Sequence, residues 1–145
     1  MSNVTLDQAC TIVDTAMAEA KARNFAPLTV VVLDSGGYPV VLKRADDSAL
    51  LRHQIAHAKA WGTLGMGFGG RNLQQRAKSN PAFFASLSDM CGGNIVPNPG
   101  GVLIKDGNGK IIGAVGISGD TGENDEICAV AGIEAAGLTA DTGAS

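Results

Sequence analysis

Aromatic residues are scarce. Phe, Tyr and Trp make up 4% of the 145 residues, with one tryptophan, Trp61. A core must therefore be assembled from Val, Ile, Leu, Ala and Met. Histidine is limited to His53 and His57. Only three cysteines are present, Cys10, Cys91 and Cys128, an odd and unclustered set. That excludes a dense disulfide framework and reads as free thiols in a reducing compartment. No apolar run approaches the roughly 18 residues needed to span a bilayer. No basic stretch followed by an apolar core opens the chain, so no signal peptide is expected and the expected location is cytoplasmic. Positive charge is not in excess: the net charge is −3 and the pI about 5.2. A nucleic-acid partner, which would need a basic patch, is not expected. The Walker phosphate loop, the dinucleotide G-x-G-x-x-G before a helix, and EF-hand spacing are also missing.

What is present is glycine, 20 residues, beside a 45% hydrophobic fraction. The length fits one domain, 1–145, with 138–145 expected as a flexible tail. Such a chain buries roughly two-thirds of its unfolded surface without a staple. The low charged fraction, 17%, leaves surface for contacts between copies of the chain.

The first helix is expected over 5–23, with Thr5 as N-cap, Gln8 completing a capping box, and Ala9, Ile12, Val13, Ala16, Met17 and Ala20 on one face. A hairpin follows over 28–45, its first strand apolar on both faces and turned at Ser35-Gly36-Gly37. A second helix is expected over 48–66, capped from Asp46, Asp47 or Ser48. Its stripes are Leu51, Ile55, Ala58 and Gly62, and beside them His53, His57, Trp61 and Leu64. Short helices interrupted by Pro81 fill 71–89, and a short strand is expected at 94–96. Strands at 102–105 and 110–117 flank Asp106-Gly107-Asn108-Gly109, the strongest hairpin signal in the chain. A last helix, about 122–137, is capped by Asp120 with Glu123 or by Thr121, with acids suited to its positive end. This order gives an α+β (α/β) fold with an antiparallel sheet and helices packed on it.

Four of these segments resemble one family. Val32-Leu33-Asp34-Ser35-Gly36-Gly37 with Leu42-Lys43-Arg44-Ala45-Asp46 is similar to its V-D-x-G-G…R-x-D hairpin. Ile55-Ala56-His57-Ala58-Lys59-Ala60 is similar to I-A-x-x-K-A. Pro99-Gly100-Gly101-Val102-Leu103-Ile104 resembles P-G-G-x-P-I. The run from Gly113 to Gly119, with Asp125-Glu126 and Ala131-Gly132, resembles G-x-x-G-V-S-G…D…A-x-A-G. The family is the GlcG/HbpS-like haem-binding group, which includes the C-terminal domain of PduO-type proteins. The resemblance covers about residues 5–137. It implies a five-stranded antiparallel sheet flanked by helices, a profilin-like or Roadblock-like sandwich. It also implies homo-oligomers, often hexamers or octamers, and haem as a cofactor. The chain departs from the pattern at Leu103, where proline is common, at Trp61-Gly62, and at Val102, where some haem-binding relatives have a polar residue.

The chemistry-bearing residues each have a functional and a structural reading. His53 and His57, at i and i+4, share a helical face. They could ligate a metal or haem, or be polar-face histidines; a metal site lacks a specified third ligand, so none is assigned. Lys59 is a candidate proton carrier with His57, or an ion-pair partner for Asp34 or Asp46. Trp61 stacks on a planar ligand or closes a core. Arg44, with Asp34 and Asp46, grips a carboxylate or ties a hairpin to a helix. The glycine-rich loop 94–101 is the best ligand contact, through Asn94, Gly100 and Gly101, with Val102 at its end. Cys91 beside Gly92-Gly93 has no neighbouring histidine in sequence to make it a nucleophile. The leading expectation is a homo-oligomeric small-molecule or cofactor-binding protein with its pocket between the second helix and the 94–102 loop. The alternatives are a small catabolic enzyme moving a proton on a carboxylated or carbonyl metabolite, and a structural accessory subunit.

Overall fold

The computed structural model describes residues 3–144. Helix α1, Leu6–Ala22, starts where the sequence places it. Gln8 N donates to Thr5 Oγ1 at 3.1 Å, and Thr5 N donates to Gln8 Oε1 at 3.0 Å. This capping box satisfies two amides that the first helical turn leaves without partners. The face Ala9, Ile12, Val13, Ala16 and Ala20 is buried.

Strands β1, Thr29–Asp34, and β2, Pro39–Arg44, form the first hairpin. Helix α2, Arg52–Met66, lies across the sheet, and α3, Gly70–Ser79, and α4, Pro81–Met90, follow it. Pro81 opens α4, where its missing N–H costs nothing. Strands β3, Gly101–Lys105, and β4, Ile111–Ser118, make the second hairpin. Its turn is held by Asp106 Oδ1, which accepts from the amides of Asn108 and Lys110. Helix α5, Gly122–Ala135, is capped by Thr121, whose hydroxyl accepts from Asn124 N. Strand β5, Thr139–Asp141, closes the sheet.

The sheet order is β2-β1-β4-β3-β5, antiparallel throughout. Its two faces carry different cores. Val30, Val32, Val102, Ile104, Val115 and Ile117 pack under α1 and α5. Val31, Leu33, Leu103 and Ala114 pack under Ala56 and Ala60 of α2. β1 is apolar on both faces because it sits between β2 and β4 with helices above and below.

Three expectations are corrected. No strand forms at 94–96; the fifth strand is β5, inside the segment expected to be a tail. β5 pairs with β3, Lys105 Nζ reaches Asp141 Oδ2 at 2.7 Å, and Leu138 and Ala140 pack on the larger core. Three residues are too few to show a periodic pattern, so only the need to cover the β3 edge reveals them. Helix α2 begins at Arg52, not 48, and its cap position, Leu51, makes no side-chain bond. Ser48 is instead buried, its Oγ 2.8 Å from Thr29 Oγ1. Finally, Leu51 of the expected apolar stripe is exposed, and the sheet-facing side of α2 is Ala56, Lys59, Ala60 and Thr63.

That last face is small because α2 touches backbone. A Cβ added at Gly116 of β4 would overlap the Ala56 carbonyl, and one at Gly101 would meet the Lys59 carbonyl. Replacing Gly116 with Ala is expected to destabilise the protein by about 1–3 kcal/mol or more, since neither backbone can step aside freely. Gly107→Ala, at a turn position with open space around it, is expected to stay within about 0.5 kcal/mol of the parent. Denaturation midpoints compare the two; equal midpoints would refute the backbone contact.

Candidate functional site

A cleft of about 470 Å³ opens between α2, the edge strand β2 and the turn at 91–94. Its walls are Leu42 on one side, His53, Gln54, His57 and Ala58 on the helix, and Gly92, Gly93 and Asn94 on the turn. The i, i+4 spacing sets both histidines on the helix face turned toward β2. Two successive left-handed residues, Gly92 (φ 65°) and Gly93 (φ 81°), reverse the chain after α4 and deliver Asn94 to the helix. Asn94 Oδ1 lies 3.0 Å from His57 Nδ1. A side-chain carbonyl oxygen only accepts, so the bond requires the proton on Nδ1. Neutral His57 then carries its lone pair on Nε2, the state of a ligating or basic imidazole whose other nitrogen is held by a partner. His57 is half-buried and His53 exposed.

The sequence-predicted residues do not all gather in one place. His53, His57 and Asn94 meet in the cleft. Trp61 lies farther along the same helix face, beside Gly37 in the β1–β2 turn and against Leu64. Gly100, Gly101 and Val102 are buried beneath α2 and α5. Their closeness to Lys59 carbonyl and ammonium is a packing contact; the glycine amides do not line the cleft. Arg44 does not gather Asp34 and Asp46: its Nη1 donates to the Ser48 carbonyl at 3.1 Å, while Asp34 accepts from the turn amides of Gly36 and Tyr38. Gly92, Gly93, Leu42 and Gln54 were missed as lining residues. Only the Gly-Gly pair next to Cys91 carried a local signal. Among the described residues no group of three or more His, Cys, Asp or Glu is placed to hold a metal ion, and no helix is long and apolar enough to cross a membrane.

The family model for haem degrading protein HbpS-like matches residues 4–134. This chain belongs to the HbpS-like family. An uncharacterised 15.0 kDa protein of Citrobacter freundii, encoded in the dhaT–dhaS intergenic region, is 31% identical over 113 residues, 77% of this chain and 78% of its own. The crystal structure of a PduOC–haem complex superposes with a TM-score of 0.85 at 25% identity, covering 94% of this chain and 96% of that one. The crystal structure of HbpS gives 0.80 at 23% identity over 92% and 90% of the two chains, a likeness of fold.

In this HbpS-like chain Lys59 stands apart from the cleft. It is buried with Asp125, at 4% and 1% side-chain exposure. Its Nζ donates to Asp125 Oδ2 at 3.2 Å and to the Ile117 carbonyl at 2.9 Å. The sequence offered Asp34 or Asp46 as the partner; the acid that reaches it is 66 positions away in the chain. Asp125 Oδ1 also accepts from Asp120 N, and Asp120 accepts from Ala26 N, Thr121 N and Asn124 Nδ2, bonds that hold its carboxyl below the usual range. Burial lowers the Lys59 pKa and raises that of Asp125, and in each the partner's charge opposes that shift. Proton transfer by Lys59 would need a path to substrate, and its Nζ is enclosed by α2, β4 and α5. Cys128, pushed up to about 11 by burial, stays a neutral thiol.

Lys59→Met is expected to cost about 3–5 kcal/mol, because it leaves Asp125 buried without its cation. The double variant Lys59→Met/Asp125→Leu is expected to recover part of that loss. Urea unfolding of the four proteins measures the coupling; strictly additive losses would show that the two charges do not act as a pair.

Proposed function

We propose that this chain is a cofactor-binding protein that takes haem in the α2–β2 cleft, where His57 would hold the iron. The observation that carries this reading is the Asn94–His57 bond, which fixes the imidazole with Nε2 bare in a cleft walled by Leu42 and Ala58. The residues present fit the group. An imidazole with its distal nitrogen hydrogen-bonded is a usual haem ligand, and the cleft volume falls in the range of small-molecule sites. The family description and the haem complex among the structural neighbours point the same way. Haem, once bound, supplies the iron-centred chemistry; the chain's residues bind and orient it. His57 donates the lone pair, Asn94 holds the ring, and His53 one turn away is a second nitrogen at the cleft mouth.

The chain acts as a homo-oligomer in this reading. Leu42 on the cleft wall is 44% exposed, and Leu50 and Leu51 just before α2 are 82% and 59% exposed, apolar surface that a second copy would cover. The proton-transfer alternative loses Lys59, whose ammonium is committed to Asp125, and would rest on His57 alone. Gly100 and Gly101 serve the site indirectly, by letting α2 approach the sheet closely, while Val102 packs on the other face under α1 and α5.

Haemin titration followed at the Soret band tests the reading. A saturable one-to-one spectrum is expected from the parent protein. His57→Ala is expected to shift the band and weaken binding by at least about tenfold, with Asn94→Ala intermediate. An unchanged spectrum and affinity in His57→Ala would contradict the assignment.

A further inference from the structure

The cleft wall on β2 is Leu42, and the strand continues past it in both directions. β2 runs from Pro39, next to the turn that meets Trp61, to Arg44, next to the start of α2. In chain order β2 and its turn offer Gly37 beside Trp61, then Leu42 in the cleft with His53 and His57, then Arg44 outside the cleft wall; Arg52 precedes the histidines on α2. Leu42 and Arg44 are two apart on the strand, so they share a face. It is the α2 face: their cross-strand partners are Val31, which packs under α2, and Thr29, which bonds Ser48. Lys43 between them points the other way, to Asp14 on α1.

Arg44 and Arg52 converge on one polar row. Arg44 Nη1 donates to the Ser48 carbonyl, Ser48 Oγ meets Thr29 Oγ1, Thr29 lies across from Ser118 in the sheet, and Ser118 Oγ accepts from Arg52 Nη1 at 3.1 Å. Each guanidinium spends one N–H there and keeps others. The chain's remaining arginines are engaged: Arg23 with Glu19, Arg71 with Glu126, and Arg76 with Asn72 and the Phe68 ring. Among the described residues Arg44 and Arg52 have no carboxylate within ion-pair distance, and the first turn of α2 carries no acid. The neighbouring cleft is walled by no acid either. Two cations are thus held by neutral partners beside a cleft whose wall carries His53 and His57.

We infer that Arg44 and Arg52 form a carboxylate anchor beside the cleft, selecting ligands that carry anionic carboxylates along one edge. This rests on the haem reading above and adds to it the orientation: the carboxylate edge faces the arginines while the opposite edge faces Trp61. Guanidinium forks suit this task because two parallel N–H groups match one carboxylate.

The test compares haemin with its dimethyl ester, which keeps the iron and ring and lacks the carboxylate charge. Both are titrated into the parent, Arg44→Gln, Arg52→Gln and Arg52→Lys, with circular dichroism checking the fold, since Arg52 also supports Ser118. The parent is expected to bind haemin about ten- to a hundredfold more tightly than the ester, the size of one charge-assisted bond. Each Gln variant is expected to lose affinity for haemin and none for the ester, with the Soret position of the His57 complex unchanged and Arg52→Lys partly restored. Equal affinity of the parent for both compounds, or losses in the variants that are the same for both, would overturn the anchor and leave the His57 assignment standing. Absence of saturable binding by either compound would overturn both.

Discussion

Backbone contact between α2 and the sheet is the constraint on which the rest of the structure depends. Gly116 and Gly101 remove two side chains from the sheet surface, so the carbonyls of Ala56 and Lys59 settle directly on it. The helix face that meets the sheet is accordingly small, Ala56 and Ala60. A helix this close cannot rotate or slide without steric overlap, because interiors are packed to crystalline density. Everything on its other faces inherits that fixed setting: His53 and His57 toward β2, Gly62 against Ile95, and Lys59 toward α5.

The Lys59–Asp125 pair gives the same interface its orientation. Buried ion pairs contribute little net stability, because desolvation offsets attraction. Their geometry is demanding, however. Lys59 must meet both the Ile117 carbonyl and Asp125, and Asp125 must also accept from Asp120 N. These bonds tie α2, the end of β4 and the start of α5 into one unit. The role of Lys59 is therefore to position α2, and through it the histidines.

Much of the fold could be read in the sequence because its signals are local. The Thr5/Gln8 box, the Asp-Gly-Asn-Gly turn, Pro81 between two helices and Thr121 before the acids each act within a few residues. The two-faced apolar β1 follows from alternation. What escaped was non-local. β5 is three residues recruited by an exposed strand edge. The start of α2 moved because Ser48 found Thr29 across the fold rather than the helix amides. The partner of Lys59 is a residue 66 positions away. The site divides on the same line. The i, i+4 histidines were visible as a pair, and Asn94 as a glycine-loop residue. That Asn94 would bond His57, and that Gly100 and Gly101 would be packing residues, depended on how α2 meets the sheet.

The proposed haem site depends on the state of one ring, His57. Asn94 Oδ1 meets His57 Nδ1, and the proposed ligand site requires that the lone pair of His57 stand on Nε2. Long-range proton–nitrogen correlation spectra of the histidine side chains in the ligand-free protein read that state directly. Neutral His57 with the proton on Nδ1 and an unprotonated Nε2 is the expected result, lost in Asn94→Ala. A His57 carrying its proton on Nε2, unaffected by the loss of Asn94, would contradict it.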